Sequence, residues 1–143
     1  MPDKLNILLV EDNFEHLRLT TYLLKRSAVP GEVFVVRDGQ EALDYLYQRN
    51  GFADRGAHPR PDLVLLDFNI PRIDGKEVLK TMKEDARLSS IPVVVVSSSS
   101  RPEDMNYARD MGASAYISKS AGFEQLSAAL AEVYKFAREG PAL

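Results

Sequence analysis

The sequence contains no cysteine and no hydrophobic run long enough to cross a membrane. Without cysteine, disulfide bonds and cysteine-based zinc sites are excluded, and a reducing compartment is compatible with the chain. The first apolar run is too short for a secretion signal and ends in two acids, and no run approaches the ~20 residues of a membrane span. We therefore expect a cytoplasmic protein without a membrane partner.

An excess of basic residues is also lacking. The 143 residues include 18 Lys and Arg against 21 Asp and Glu, which gives a formal net charge of -3. A general nucleic-acid binder needs a basic face to neutralise phosphates, so this class is excluded. Hydrophobic residues make up 45% of the chain, enough for the core of one domain. The sequence predicts a single domain over 1–143, with no room for an output domain.

Five short apolar runs, rich in valine, isoleucine and leucine, predict the strands of a sheet. They lie at 5–10, 33–36, 63–66, 93–96 and, more weakly, 115–118. The runs do not alternate polar with apolar residues. Continuous apolarity is typical of strands covered on both faces, and it favours a parallel sheet between two layers of helices.

Segments of helical length separate these runs, at 14–27, 39–50, 74–86 and 102–111. Pro30-Gly31 is predicted to end the first helical region. The last segment has one apolar stripe with spacings of 3, 4, 3 and 4, formed by Phe123, Leu126, Leu130, Val133 and Ala137, and it predicts one helix. Strand followed by helix, five times, predicts a doubly wound, flavodoxin-like α/β domain with sheet order 2-1-3-4-5. The segment 51–61 is predicted to be an irregular polar loop.

Chemically useful residues follow the strands near the switch point of the predicted sheet. Glu11 and Asp12 follow the first strand, Asp67 follows the third, a serine run beginning at Ser97 follows the fourth, and Lys119 follows the fifth. Ligands of doubly wound folds bind at this edge. None of these positions is informative alone, but their coincidence on one edge predicts a site.

The predicted site combines three carboxylates with one lysine. At ~4–5 Å and an effective dielectric constant of ~20, each pair of carboxylates repels by roughly 3–4 kcal/mol, so the site needs a cation. Oxygen ligands of this kind suit Mg²⁺. The metal and Lys119 would then stabilise a phosphoryl group during in-line transfer to Asp67, and Ser97 would donate its hydroxyl to the new phosphate.

The sequence resembles the receiver domains of two-component signalling. The resemblance is carried by VEDN after the first strand, LLDFNIPRIDG around the third, VVVVSSS at the fourth and YISK at the fifth, and it covers about 5–140. It implies that Asp67 is the phosphoacceptor, that Lys119 binds the phosphate, and that Ser97 and Tyr116 are switch residues. It also implies Mg²⁺ bound by Glu11, Asp12, Asp67 and the backbone carbonyl of Asn69.

The resemblance further implies how such a protein signals. A sensor histidine kinase donates the phosphoryl group, and the face formed by the fourth helix, fifth strand and fifth helix changes and contacts a downstream protein or a second copy of the chain. The protein takes part in its own phosphorylation and dephosphorylation but is not an enzyme with a separate substrate. The long loop and the serine run resemble stand-alone receivers encoded with bacterial phytochrome kinases.

One position departs from the family pattern. The family usually has Lys-Pro with a cis bond after the fifth strand, whereas this chain has Lys119-Ser120. Since a cis bond before a non-proline residue costs ~2.5–4 kcal/mol, the loop is expected to be trans, or cis and strained.

Less specific interpretations remain for several residues. Asp12 alone would cap the first helix, together with Glu15. Lys119 alone would be a solvated lysine. His16 and His58 are expected to face solvent. The remaining aromatic side chains of the last segment, Tyr134 and Phe136, fit either a partner surface or a peripheral core contact.

Two other functions compete with the receiver. A Mg²⁺-dependent phosphatase with an aspartyl nucleophile typically needs a second acid two residues later, where this chain has Asn69. A pseudo-receiver would bind partners without phosphorylation, but such proteins lose acidic residues that this chain keeps.

Overall fold

The computed structural model describes residues 5–26 and 31–139, and it has the predicted alternation of strands and helices. The strands are β1 Leu5–Val10, β2 Gly31–Val36, β3 Leu63–Leu66, β4 Val93–Ser97 and β5 Ala115–Ser118; the helices are α1 Phe14–Arg26, α2 Gly39–Leu46, α3 Gly75–Glu84, α4 Pro102–Asp110, α5 Phe123–Ala131 and α6 Tyr134–Glu139. Short 3₁₀ turns lie at Asn50–Phe52 and Lys119–Ala121. Pro30, predicted to help end the first helical region, lies outside the described residues.

The strands form one parallel sheet in the order β2-β1-β3-β4-β5, so the predicted order is confirmed. Every described pairing is parallel, and β1 pairs with β2 on one side and β3 on the other. Because β1 and β3 are neighbours, their carboxyl ends bring Val10 opposite Leu66. The residues that follow both strands are therefore adjacent at the switch point of the sheet.

The two faces of the sheet carry two separate hydrophobic clusters, which explains why the strand sequences are apolar throughout. Side chains of a strand point alternately to the two faces. Leu8 and Val10 pack toward α2, α3 and α4, whereas Ile7 and Leu9 pack toward α1 and α5. Both sets are buried. Burying an aliphatic side chain of this size contributes about 1.5–3 kcal/mol, so both faces stabilise the sheet.

The prediction of one continuous last helix was wrong in detail. The chain forms α5 and α6, joined by a tight turn in which the backbone N–H of Glu132 donates to Ala129 and that of Val133 donates to Leu130. The i→i−3 bonds narrow the helix at this point. Leu126, Leu130 and Val133 are buried as expected, but Phe123 is 51% exposed, because it opens α5 at the edge of the sheet.

The polar segment 51–61 is more ordered than predicted. Phe52 and His58 pack against Tyr45, with ring centroids 5.3 and 5.7 Å from the Tyr45 ring. The expectation that His58 faces solvent was therefore wrong, since its ring is half-buried in an aromatic cluster. Tyr134 and Phe136 pack against the core cluster on the α1 and α5 face, which corresponds to the peripheral core contact.

None of the described helices has the length and apolarity required to span a membrane.

Candidate functional site

The centre of the site is a buried lysine held between two carboxylates. Lys119 follows β5, and its ammonium group donates to Oδ2 of Asp67 at 2.8 Å and makes a very short contact with Oε1 of Glu11. The side chains of all three residues are at most 8% exposed. The structure thus brings together three of the residues singled out in the sequence, from the ends of β1, β3 and β5.

Local backbone geometry places Asp67 at the end of β3. Its N–H donates to the carbonyl of Val10 in the neighbouring strand, at 3.2 Å. Its Oδ1 accepts the N–H of Asn69 at 2.9 Å, which closes a small turn after the strand. Both carboxylate oxygens of Asp67 therefore have a partner: a backbone N–H on Oδ1 and the Lys119 ammonium on Oδ2.

A glycine after this turn lets the following helix approach closely. A Cβ on Gly75 would lie 2.4 Å from the carbonyl oxygen of Asp67 and 2.6 Å from Cα of Phe68. Any larger residue would push α3 away from the turn. Asp74, the preceding residue, caps α3 by accepting the N–H of Lys76 at 2.7 Å. The Asp-Gly pair in the sequence therefore has a direct packing role beneath the site.

Burial raises the pKa of Glu11, and the ammonium of Lys119 counteracts this effect. The neighbouring charge of Asp67 raises the pKa further, as expected for two carboxylates close together. Two carboxylates and one ammonium leave the cluster with a charge of about −1, and Asp12, the residue after Glu11, adds another negative charge. The site is therefore negatively charged and oxygen-rich, a composition that suits a hard divalent cation.

Asp12 differs from Glu11 in its surroundings. Its side chain is exposed, while its backbone carbonyl accepts a hydrogen bond from the guanidinium of Arg37 at 2.9 Å. The alternative in which Asp12 caps α1 was wrong, because Oδ1 of Asn13 accepts the N–H of His16 at 3.0 Å. Asn13 also donates its own N–H to Oε2 of Glu11 at 3.1 Å. The cap of α1 thus comes from the residue after Asp12.

Within residues 5–26 and 31–139, no three acidic or histidine side chains converge into a ready-made metal centre. Lys119 bridges Glu11 and Asp67 instead. The donor set still fits Mg²⁺, because buried carboxylates, an exposed carboxylate and the turn at Asn69 supply the hard oxygen atoms that this ion binds, and the cluster carries the negative charge that it would offset.

The predicted switch residues lie beside the site, in a second connected group. Ser97 ends β4, is fully buried, and accepts the N–H of Ser99 at 3.3 Å. The hydroxyl of Tyr116 donates to the carbonyl of Ser99 at 2.7 Å. The ring of Tyr116 lies edge-on to Phe68, the residue after Asp67, at 6.1 Å between centroids. Tyr116 is thus connected both to the loop after β4 and to the turn after β3.

Ser99 also connects this loop to α4 and α3. Its hydroxyl donates to Asp104 at 2.5 Å, and the ammonium of Lys76 binds the other oxygen of Asp104 at 2.5 Å. Asp104 is only 3% exposed, and the hydrogen bonds, of which the one from Lys76 has the largest effect, lower its pKa to about 2. We call Asp104, Ser99, Lys76 and Arg101 the Asp104 network.

The sequence interpretation missed three residues that belong to the site or to the neighbouring Asp104 network. His16 was expected to face solvent, which was wrong: its Nδ1 lies 3.1 Å from the Lys119 ammonium. Ser99 was treated only as part of the serine run that begins at Ser97, and Asp104 was not singled out. The segment 102–111 was predicted to be helical, but nothing in the sequence indicated that Asp104 is buried against Lys76.

No peptide bond of the described residues is cis, so Lys119-Ser120 is trans. Ser120 lies in the 3₁₀ turn after Lys119, and its N–H donates to the hydroxyl of Ser118 at 3.3 Å. Of the two expected forms of the Lys119-Ser120 bond, trans or cis and strained, the trans form is found. The ammonium of Lys119 still contacts Asp67.

The chain belongs to the response regulator receiver domain family, whose model matches residues 7–131. Response regulator Rcp1 of Synechocystis sp. is 38% identical over 120 residues, which are 84% of this chain and 80% of that protein. The predicted resemblance to receiver domains of two-component signalling is thereby confirmed.

Solved structures of response regulators are also similar to this chain. The phosphorylated cyanobacterial phytochrome response regulator RcpA has a TM-score of 0.85 and 41% identity, with 98% of this chain and 100% of that chain covered. The Mn²⁺-bound form of Rcp1 has a TM-score of 0.81 and 35% identity, with 92% and 93% covered. The chain is therefore a receiver-domain signalling protein related to phytochrome response regulators.

Proposed function

We propose that this protein is a response regulator that accepts a phosphoryl group on Asp67 from a sensor histidine kinase. The observation that carries the proposal is the position of Asp67: a buried carboxylate at the switch point, with an ammonium on one oxygen and a second acid beside it. A general metal-independent role in folding does not account for this arrangement, since burying two like charges near one lysine costs stability.

The transfer is an in-line displacement at phosphorus. A bond forms between one carboxylate oxygen of Asp67 and phosphorus while the bond between phosphorus and the donor's imidazole nitrogen breaks, and that nitrogen keeps the electron pair. Because Lys119 holds Oδ2 of Asp67, its ammonium lies next to the position that a phosphoryl oxygen would take. Its charge stabilises the negative charge on the transferred group.

Mg²⁺ is the proposed cofactor, held by Glu11, Asp12, Asp67 and the backbone carbonyl of Asn69. When bound, it would neutralise phosphoryl oxygens that the carboxylates alone would repel. Two findings support a divalent ion: the negative charge of the cluster, and the solved Mn²⁺-bound form of the relative Rcp1.

Signalling would proceed through the group around Ser97 and Tyr116. A phosphoryl group on Asp67 attracts the Ser97 hydroxyl, and the loop after β4 then moves relative to Tyr116, whose hydroxyl binds that loop. Met105 on α4 and Phe123 on α5 are 41% and 51% exposed. These exposed side chains support the α4–β5–α5 face as the contact surface for a downstream protein or a homodimer.

The similar proteins suggest which type of kinase donates the phosphoryl group. The similar protein RcpA is a cyanobacterial phytochrome response regulator, so we propose a phytochrome-type histidine kinase as the donor. We expect the pair to act in the cytoplasm.

The proposal is tested by incubating the protein with Mg²⁺ and acetyl phosphate, and separately with a phytochrome kinase and ATP. We expect one acid-labile phosphoryl group, measured by intact-protein mass. Asp67→Asn should take up none, whereas Asp44→Asn, a buried aspartate in α2 that binds Arg49, should be phosphorylated like the wild type. Phosphorylation that persists in Asp67→Asn would refute the assignment.

A further inference from the structure

The histidine beside the site has a contact that the proposed receiver chemistry does not use. His16 lies in the first turn of α1, half-buried, with Nδ1 3.1 Å from the Lys119 ammonium. A lysine ammonium has three N–H donors and no acceptor. Nδ1 must therefore be unprotonated and accept, which leaves the proton of the neutral ring on Nε2.

His16 completes the set of acceptors around Lys119. The three N–H groups point to Glu11, Asp67 and His16, so the ammonium is fully hydrogen-bonded although only 8% of the side chain is exposed. Unmet donors at such a depth are costly. Of the three acceptors, Asp67 receives the phosphoryl group and Glu11 is shared with the metal. His16 is the one acceptor without another role.

The position of His16 is fixed by the cap of α1. Its backbone N–H donates to Asn13, and the N–H of Asn13 donates to Glu11. Glu11 and His16, two of the three ligands of the ammonium, are thereby held by the same residue. A shift of one relative to the other would require breaking the cap.

On this side of the lysine, the described surroundings are largely apolar. A cavity of about 90 Å³ lies between α1 and α5 and is lined by His16, Lys119, Thr20, Leu19 and Leu126. Both leucines are apolar, and Thr20 is the other residue of this lining with a polar side chain. Without the imidazole, one N–H of the ammonium would face this largely apolar cavity.

We propose that His16 is a positioning residue for phosphoryl transfer, which acts by holding the Lys119 ammonium toward Asp67. The inference rests on the proposed function of Asp67. During transfer, the N–H that binds Oδ2 of Asp67 moves to a phosphoryl oxygen, while the bond to His16 keeps the nitrogen in place. His16 makes and breaks no bond with the substrate.

The test is the rate of phosphorylation by acetyl phosphate at fixed Mg²⁺, followed by intact-protein mass. His16→Leu, which removes the acceptor, should react about tenfold more slowly, because a hydrogen bond to a charged donor is lost. His16→Asn, whose side-chain oxygen is close to the place of Nδ1, should stay within about twofold of wild type. Arg18→Leu, an exposed position of the same helix, should not change the rate.

A double-mutant cycle with Lys119 separates positioning from a general structural effect. In a Lys119→Met background, adding His16→Leu should have no further effect, since the group that His16 positions is gone. His16→Ala provides a second removal variant, and thermal unfolding verifies that each variant is folded.

The outcomes are distinct for the two proposals. If the wild type takes up phosphoryl on Asp67 and His16→Leu reacts at the same rate, the positioning role is refuted while the proposed function stands. Equal slowing in His16→Leu and His16→Asn, or a full effect in the Lys119→Met background, would also refute it. A wild type that takes up no phosphoryl group would overturn the proposed function and this inference together.

Discussion

Replacing Lys119 with methionine tests the electrostatics of the site in the unphosphorylated protein without metal. The substitution keeps an unbranched side chain of similar length but leaves Glu11 and Asp67 facing each other. Both carboxylates bind the same nitrogen, so their oxygens are at most about 5 Å apart, as two hydrogen bonds to one atom allow. At an effective dielectric constant of about 20, this corresponds to a repulsion of about 3 kcal/mol.

Protonation of Glu11 sets an upper limit to the free energy that this repulsion costs. The variant can avoid the repulsion by protonating Glu11, whose ordinary pKa is 4.5 and whose pKa in the protein is raised, chiefly by burial. At pH 7 this protonation costs about 3.4 kcal/mol, that is, about 2.5 pH units at about 1.36 kcal/mol each. Both routes agree, and we expect the free energy of unfolding to fall by about 3 kcal/mol at pH 7.

The pH dependence of this loss follows from the direction of the pKa shift. Lys119 lowers the pKa of Glu11, so its removal leaves burial and the charge of Asp67 to raise that pKa further. In the variant the folded protein therefore binds more protons than the unfolded chain between pH 4.5 and this raised pKa. Stability therefore decreases as the pH rises through this window, and the deficit relative to wild type shrinks as the pH falls. The deficit should therefore be smaller at pH 5.5 than at pH 7.5.

Urea unfolding followed by far-ultraviolet circular dichroism, at pH 5.5 and 7.5 with EDTA, measures these differences. Lys135→Met is the matched control, since Lys135 pairs with Glu132 at the surface with side chains 48% and 64% exposed, and such a pair is worth less than about 1 kcal/mol. Mg²⁺ should stabilise Lys119→Met more than the wild type. A deficit equal at both pH values, or no deficit at pH 7.5, would refute the electrostatic account.

Three further substitutions test the surroundings of the site. Asp104→Asn should lower the free energy of unfolding at neutral pH by about 1–2 kcal/mol, because the pKa of Asp104 is lowered to about 2; in acid titrations the difference should disappear as the pH falls from about 4 toward 2. Gly39→Ala should lower the free energy of unfolding, measured with urea, by about 1–3 kcal/mol, because a Cβ there would lie 1.8 Å from the carbonyl oxygen of Ile73. In the control Gly51→Ala, a Cβ would meet nothing within 4 Å, so its free energy of unfolding should be within about 0.5 kcal/mol of wild type. Tyr116→Phe should leave the rate of phosphorylation by acetyl phosphate unchanged but reduce the phosphate-dependent chemical-shift changes of α4 in NMR, since it loses the hydroxyl that binds the loop after β4; shift changes equal to those of the wild type would contradict this switch role.

The strands were predictable from the sequence because burial on both faces leaves a continuous apolar run. The runs at 5–10, 63–66 and 115–118 coincide with β1, β3 and β5. Helix ends were less predictable, since a pattern of apolar residues continues through a turn as easily as through a helix. The tight turn at Glu132 and Val133 divides the last helix without interrupting its buried stripe.

The residues of the site also divide into those that were predictable from the sequence and those that were not. Asp67, Glu11 and Lys119 were visible because each directly follows a strand, and the topology of a parallel sheet brings strand ends together whatever the loops do. His16 and Ser99 were not visible, because they reach the site through side-chain orientation at a helix start and within a loop. The exposure of Phe123 and the burial of His58 were misjudged for the same reason.

The sequence by itself therefore determined the strands and the charged residues that follow them, because periodicity and strand ends are local properties of the chain. The sheet order followed from the alternation of strands and helices, which is typical of a doubly wound domain. Only the tertiary structure decided how those charges are paired. It showed Lys119 shared among Glu11, Asp67 and His16, and Asp104 buried against Lys76 from another helix. Such pairings depend on distances between elements far apart in the chain, and spacing along the sequence does not encode them.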